Sequence, residues 1–249
     1  MKTIQVSEIT KNIKEMCIEA NHFLTKDMDQ ALKCSCDTEK SPLGKQVLNQ
    51  LQENLQIAGE DMIPICQDTG MAVIFMEIGQ DVHFEGGNLE DAINEGVRQG
   101  YVEGFLRKSV VGDPLIRENT KDNTPAIIHY EMKPGDNVKI TVAPKGFGSE
   151  NNNAMKMALP AEGIEGVKDF VVETALKAGG KPCPPIVVGV GIGGSSDMAL
   201  KLGKKALLGK VGERNPDPTI AEMELECLER INKDGKGPMG LGGRTTALD

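Results

Sequence analysis

The scarcity of aromatic side chains is the feature that most limits how this chain can fold. Its 249 residues include six Phe, two Tyr and no Trp, whereas 39% are hydrophobic and 29 are glycine. A packed interior must therefore consist of aliphatic and methionine side chains, and glycine-containing turns must bring backbone segments close together. The hydrophobic fraction is too high for a disordered chain. Few aromatic residues also argue against stacking platforms for bases or sugars.

The charge balance limits the kinds of molecule that the protein can bind. Lys and Arg total 28 and Asp and Glu total 37, which gives a net charge of −9. This acidity argues against nucleic-acid binding, and no apolar run approaches the roughly 18 residues that a membrane span requires. The first residues lack the apolar segment of a signal peptide. We therefore expect a cytoplasmic protein whose six cysteines are buried thiols, metal ligands or nucleophiles rather than disulfides.

Hydrophobic spacing predicts a mixed α/β (α+β) domain over residues 1–249, with helices around a small, largely antiparallel sheet. Helices are expected at 4–24, 42–58, 88–107, 164–178, 196–208 and 220–232. Strands are expected at 71–78, 126–132, 137–143 and 186–190, with the second and third forming a hairpin. Residues 28–40 are polar and are predicted to be a helix end followed by a loop.

One predicted helix carries an unusual row of glycines. Gly96, Gly100 and Gly104 recur every four residues on one face. Glycine inside a helix costs about 1 kcal/mol relative to alanine. The row therefore indicates that another backbone approaches this face closely.

Two of the six cysteines are flanked by proline, namely Cys66 after Pro64-Ile65 and Cys183 between Pro182 and Pro184. Proline fixes its own φ and moves its neighbour away from helical geometry, so each thiol is presented from a rigid turn. Such a thiol suits a metal or cluster ligand, and a small hydrophobe in a loop fits the same pattern equally well.

The remaining cysteines indicate structural roles. Cys17 and Cys227 lie on apolar helical stripes and are predicted to be core residues. Cys34 and Cys36 are one residue apart and have no partner CxxC or HxxxH, which argues against a metal there.

Three polar or glycine-containing features have two interpretations each. Residues 189–194 match GxGxxG, but the βαβ repetition of a dinucleotide fold is missing, which leaves an anion pocket or tight strand–helix packing. The loop 145–153 either contacts a ligand through Gly146 and Gly148 or is a solvated hairpin exit. Asp68 is either an acid–base group beside a metal or a turn-capping carboxylate.

Together these residues resemble the α subunit of the class I, iron–sulfur-dependent fumarate hydratases, to which L-tartrate dehydratase α subunits are related. The motifs that carry the resemblance, in the family's order along the chain, are Cys66-Gln67-Asp68-Thr69-Gly70, Lys145-Gly146-Phe147-Gly148-Ser149-Glu150-Asn151, Cys183-Pro184-Pro185 and Gly237-Pro238-Met239-Gly240-Leu241-Gly242-Gly243-Arg244-Thr245-Thr246.

The resemblance implies a 4Fe-4S cluster that three cysteines hold, with one iron left open as a Lewis acid. Cys66 and Cys183 match two of these ligands, and we expect both in loops that face a common cleft. The other implied site residues are Gln67 and Asp68 in catalysis, Arg107 on a substrate carboxylate, Gly148 through its backbone, and Lys145 as a second cation.

The resemblance also implies partners and a reaction. The family's third cluster cysteine lies downstream of the glycine-rich motif, so we expect it beyond Asp249. The family's α subunits need a β subunit, and we expect a hetero-oligomer whose isolated α chain is inactive. The expected reaction is reversible hydration of fumarate to L-malate. A tartrate or other hydroxy-dicarboxylate dehydratase and a cluster-less, non-catalytic assembly module are the alternatives.

Overall fold

A computed structural model describes residues 2–249, which divide into two compact units. Unit 1 comprises residues up to Leu24 together with Leu55–Phe147, and unit 2 comprises Thr25–Asn54 together with Gly148–Asp249. The mixed α/β fold is confirmed. No helix within the described residues is both long enough and apolar enough to span a bilayer.

The five strands all lie before residue 146, and the last four helices follow them. The strands are β1 Lys2–Gln5, β2 Met71–Gly79, β3 Val82–Glu85, β4 Ile127–Lys133 and β5 Val138–Lys145. The helices are α1 Val6–His22, α2 Lys26–Thr38, α3 Pro42–Asp61, α4 Leu89–Glu103, α5 Phe147–Glu150, α6 Gly163–Ala178, α7 Ser196–Ala206 and α8 Pro218–Asp234. Two 3-10 turns cover Pro160–Glu162 and Pro238–Gly240.

The three-stranded sheet of unit 1 has the order β4-β2-β5. Strand β2 pairs in parallel with β4 and antiparallel with β5, so the predicted hairpin between β4 and β5 is wrong. Strand β2 is buried along nearly its whole length, and a strand that is apolar on both faces occupies the centre of a sheet. Strands β1 and β3 form a separate parallel pair.

The predicted close approach at the glycine row is confirmed. A Cβ on Gly96 would lie 2.7 Å from the Thr10 carbonyl oxygen, and one on Gly100 would lie 2.8 Å from Cys17 Cβ. Helix α4 therefore packs its glycine face directly on α1. The interior beside it is aliphatic, as composition predicts, with Ile74, Ile93 and Val97 among its members. The expected methionine-rich character is wrong, since Met76 is the one methionine in this cluster, whereas Met132, Met157 and several others among the described residues are exposed.

Unit 2 has a smaller interior, in which α6 packs on α8. Its buried members are Val172, Ala175, Cys227, Ile231 and Ala247. The prediction that Cys17 and Cys227 are core residues is therefore confirmed.

Two sequence predictions in unit 2 are wrong. Residues 26–38 form α2 rather than a loop, because local bonds such as Lys33 Nζ to Asp29 Oδ2 (2.6 Å) stabilise a helix that buries only Leu32. Residues 186–190 do not form a strand; only Ile186 forms a bridge, with Ala247. The glycines of the GxGxxG match pack against α7. A Cβ on Gly189 would lie 2.2 Å from the Gly203 carbonyl oxygen. This contact supports the packing interpretation of the GxGxxG match.

Candidate active site

Cys66 lies on the loop that joins α3 to β2 in unit 1. Its thiol is exposed, and the Asp68 N–H donates to Cys66 Sγ over 3.4 Å. The Ile65 N–H donates to the Asn21 carbonyl (2.9 Å), which fixes the start of the loop on α1. Gln67 is also exposed, with its Oε1 3.5 Å from Cys66 Sγ. The loop is non-helical, as its proline predicts.

Asp68 connects this loop to the end of β5. Its Oδ1 accepts from the Gly70 N–H (3.1 Å) and its Oδ2 accepts from the Phe147 N–H (2.8 Å). A Cβ on Gly146 would lie 3.1 Å from Asp68 Oδ2, so glycine lets this segment approach the carboxylate. Asp68 therefore caps the turn through its carboxylate, as one of its two interpretations predicts. Each oxygen accepts one N–H and retains capacity for a second bond.

Gly70 allows the backbone of Lys145 to lie beside the Cys66 loop. Gly70 has φ +65°, and a Cβ there would lie 2.3 Å from the Lys145 carbonyl oxygen. Lys145 is the last residue of β5 and pairs with Met71. The loop 145–153 therefore leaves the sheet beside Gly70 rather than from a β4–β5 hairpin.

The backbone of Arg107 is held by Thr69 of the same loop. The Arg107 N–H donates to Thr69 Oγ1 (2.9 Å), and that hydroxyl donates to the Arg107 carbonyl (3.2 Å). The Tyr101 hydroxyl donates to the Thr69 carbonyl (2.8 Å). Burial raises the pKa of Tyr101, so this donor stays protonated. The Arg107 side chain is exposed, and no ion pair among residues 2–249 uses its guanidinium.

Asn123 is fully buried and holds the end of the Cys66 loop at Gly70, and sequence reasoning missed it. Its Oδ1 accepts from the Ser109 and Val110 N–H groups (2.7 and 3.1 Å), and its Nδ2 donates to the Gly70 carbonyl (2.9 Å). It has φ +64°, which asparagine tolerates better than most residues. The polar sequence around it signals a turn but not these partners.

Cys183 lies on a tight loop of unit 2. Its thiol is exposed, its φ is +57°, and its N–H donates to the Gly180 carbonyl (3.1 Å). The next residue, Pro184, is buried and accepts at its carbonyl from the Met239 N–H (2.7 Å). The Cys183 thiol therefore extends from a non-helical loop that backbone hydrogen bonds fix, as its flanking prolines predict.

Gly148 belongs to unit 2 and lies against the same loop. A Cβ at this position would lie 2.6 Å from the Lys181 carbonyl oxygen, two residues before Cys183. This close approach explains why glycine is needed here. Contact between the Gly148 backbone and a substrate stays a prediction.

Three of the other four cysteines are less available as ligands, whereas Cys34 is exposed on α2. Burial raises the pKa of Cys17 to about 12, and it also raises the pKa values of Cys227 and Cys36. Among residues 2–249 no three His, Cys, Asp or Glu side chains gather closely enough to hold a metal ion. The chain thus has an exposed thiol on a loop of each unit, Cys66 in unit 1 and Cys183 in unit 2. Their role as cluster ligands stays a prediction.

Comparison with known protein families places nearly the whole chain. A sequence model described as fumarate hydratase (Fumerase) matches residues 10–249. The chain therefore belongs to the fumarate hydratase (Fumerase) family. It is a hydro-lyase of the fumarate hydratase and tartrate dehydratase type.

Individual relatives are similar over nearly the whole chain. A protein of Methanocaldococcus jannaschii, provisionally named L(+)-tartrate dehydratase subunit alpha, is 47% identical over 97% of this chain and 87% of its own length. The L(+)-tartrate dehydratase subunit alpha of Escherichia coli K12 is 31% identical over 98% of this chain and 81% of its own length.

Proposed function

We propose that this chain is the α subunit of an iron–sulfur hydro-lyase that acts on a four-carbon hydroxy-dicarboxylate. The observation that carries the proposal is the position of Arg107. Its exposed guanidinium extends from a backbone that Thr69 holds, and Thr69 belongs to the same loop as Cys66, Gln67 and Asp68. A carboxylate-binding group is thereby joined to a candidate metal ligand and a candidate acid–base group within one unit.

L(+)-tartrate is the first candidate substrate, because relatives at 47% and 31% identity carry that name. The pair fumarate and L-malate, which the sequence motifs favour, is the second, because the family is described as fumarate hydratase. Both reactions break a C–O bond and a neighbouring C–H bond and release one water. Tartrate then gives an enol that becomes oxaloacetate, and malate gives fumarate.

The residues of unit 1 have distinct tasks in this proposal. Arg107 binds one substrate carboxylate through two parallel, charge-assisted hydrogen bonds. Lys145, whose backbone lies beside Gly70, would supply a second positive charge for the substrate. Asp68 has one lone-pair site left on each oxygen, with which it accepts a hydrogen bond from a substrate hydroxyl or takes up a proton. Gln67 supplies a neutral amide that orients the substrate.

Cys66 and Cys183 are the residues of this chain that would hold a 4Fe-4S cluster. When bound, the cluster would supply a Lewis-acidic iron for hydroxyl and carboxylate oxygens, without net redox change. Both thiols are exposed and lie on loops whose backbones are fixed by hydrogen bonds. We do not propose Cys17 or Cys227 as the third ligand, since both are buried.

A β subunit completes the proposed enzyme. The matched relatives are named as alpha subunits. Two carboxylates need neutralising, and the motifs supply Arg107 and Lys145 as cations on a chain of net charge −9. The partner would supply the remaining cations and a second proton-transfer group.

The test uses the chain co-expressed with its β subunit and reconstituted anaerobically with iron and sulfide. We expect oxaloacetate from L(+)-tartrate or malate from fumarate, and neither product from the chain alone. Cys66→Ser and Cys183→Ser should each lose most of the bound iron, whereas Cys34→Ser, which alters an exposed thiol on α2, should keep it.

Each outcome discriminates among the functions. Full iron content in both loop variants would overturn the ligand assignment. A reconstituted complex without iron would favour the non-catalytic assembly module. Iron-dependent turnover by the isolated chain would refute the need for a partner. The ratio of the two kcat/KM values decides between tartrate and fumarate.

A further inference from the structure

Glu39 is a buried carboxylate at the junction of α2 and α3, and it has no part in the proposed chemistry. The residue is only 2% exposed. Its Oε1 accepts from the Lys40 and Ser41 N–H groups, both at 2.9 Å. Its Oε2 accepts from the Arg244 N–H, the Thr245 N–H and the Thr245 hydroxyl, all at 2.9 Å. Five donors therefore converge on one side chain.

This environment suits a carboxylate and no other side chain of that size. All five partners are uncharged donors, so both oxygens must be acceptors. A glutamine of the same shape would turn an NH2 group toward either two or three of these donors. Glycines make room for the carboxylate, since a Cβ on Gly44 would lie 2.9 Å from Glu39 Cδ and one on Gly243 would lie 3.1 Å from Oε2.

The three donors on Oε2 come from residues more than 200 positions away in sequence. They belong to the glycine-rich segment, which we define as residues 237–249. This segment is not a loose terminus, because Thr246 and Ala247 are only 2% and 3% exposed. Asn232 of α8 holds its later part by accepting from the Thr246 and Ala247 N–H groups. Glu39 holds the turn before it.

The glycine-rich segment in turn fixes the backbone on both sides of Cys183. The Met239 N–H donates to the carbonyl of Pro184, and the Ile186 N–H donates to the carbonyl of Thr246 (2.7 and 3.0 Å). On the preceding side, a Cβ on Gly240 would lie 2.7 Å from Gly180 Cα. The Gly180 carbonyl is also the acceptor for the Cys183 N–H.

We propose that Glu39 is a positioning residue for Cys183, because it anchors the glycine-rich segment that brackets the Cys183 loop. The functional meaning of the inference rests on the proposed role of Cys183 as a cluster ligand. The mechanical connection does not, since it consists entirely of contacts within unit 2. A carboxylate that only stabilised the turn between α2 and α3 would need only the Lys40 and Ser41 donors.

Hydrogen–deuterium exchange of the metal-free chain, measured by mass spectrometry, tests this connection. In Glu39→Gln we expect exchange about tenfold faster or more in peptides covering 180–188 and 237–249. Peptides of α6, which lies in the same unit, should change by less than about twofold. Glu213→Gln, an exposed substitution elsewhere in unit 2, is the matched control and should leave both regions unchanged.

A second readout follows the two thiols directly. The ratio of the alkylation rates of Cys183 and Cys66 should change by about threefold or more in Glu39→Gln, with the Cys66 rate unaltered. Cys66 serves as an internal standard because it lies in unit 1. If Glu39→Gln does not fold, Thr245→Val removes one donor of the five and should give a smaller change in the same peptides.

Unchanged exchange at 180–188 would overturn the proposal. Exchange that rises equally in α6 would also overturn it, because Glu39 would then support unit 2 in general. Neither measurement requires a bound cluster or turnover. A failure here is therefore distinguishable from a failure of the proposed enzyme function.

Discussion

The two units position their candidate ligands by different physical means. In unit 1, the buried side chains that hold the Cys66 loop and Arg107 are neutral, namely Asn123, Thr69 and Tyr101, and the one carboxylate that adds to them, Asp68, is only partly buried. In unit 2, a carboxylate, Glu39, acts on the Cys183 loop through a segment from the far end of the chain. A neutral network keeps its hydrogen bonds over a wide pH range, whereas a carboxylate loses its acceptor capacity when it is protonated.

The number of buried apolar residues that support each network also differs. The main interior cluster of unit 1 has twelve buried members and that of unit 2 has five. Unit 2 therefore has less apolar burial with which to offset the loss of a polar anchor. We expect substitution of Asn123 to lower the free energy of unfolding more than substitution of Glu39. We expect the effect of the Glu39 substitution to depend more strongly on pH.

The largest effect is expected from Asn123→Ala. The substitution leaves the Ser109 and Val110 N–H groups and the Gly70 carbonyl without partners in a fully buried place. We expect it to lower the free energy of unfolding of unit 1 by about 3–5 kcal/mol, equally at pH 7 and pH 4. Urea denaturation followed by circular dichroism measures this. Asn12→Ala, on the exposed face of α1, should stay within about 0.5 kcal/mol of wild type.

A cost below about 1 kcal/mol for Asn123→Ala would show that the interior network is dispensable. The contrast between the units would then not hold.

A smaller, pH-dependent effect is expected from Glu39→Gln. Burial raises the pKa of Glu39, but the N–H groups of Ser41, Thr245 and Arg244 and the Thr245 hydroxyl outweigh it and lower the pKa from 4.5 to about 2. Because the folded pKa is the lower one, the contribution to stability is full above about pH 5 and is lost as pH falls from 4.5 toward 2. We expect Glu39→Gln to cost about 2–3 kcal/mol at pH 7.

Urea denaturation at pH 7, 5 and 3.5 checks the sign. The difference between wild type and Glu39→Gln should shrink at the lowest pH, whereas the cost of Asn123→Ala should not. Glu213→Gln should follow wild type throughout. A difference that grows as the solution is acidified would contradict the assignment of a depressed pKa.

The smallest effect is expected at Arg107, and it concerns activity rather than stability. Arg107→Lys keeps the charge but loses the planar fork, so kcat/KM of the complete enzyme should fall about tenfold, which is close to 1.4 kcal/mol. Stability should change by less than about 0.5 kcal/mol, because Thr69 contacts only the Arg107 backbone. Arg117→Lys is the control, as an exposed arginine of the same unit. Unchanged kinetics would remove Arg107 from the site.

Several features of this protein could be predicted from local sequence. The scarcity of aromatic residues predicted an aliphatic interior. The spacing of Gly96, Gly100 and Gly104 predicted a close backbone contact, which α4 makes with α1. The prolines beside Cys66 and Cys183 predicted non-helical loops, which the structure has. These predictions succeed because helical periodicity and proline φ restriction act within a few residues.

Only the tertiary structure decided which segments meet. Residues 126–132 and 137–143 have hairpin spacing, yet the more apolar β2 lies between them because it buries both of its faces. Asn123 and Glu39 lie in polar stretches that indicate solvated turns, and their roles come from partners 53 and up to 206 residues away. A buried polar side chain is stabilised by the whole set of donors and acceptors around it, and that set exists only once the chain has folded.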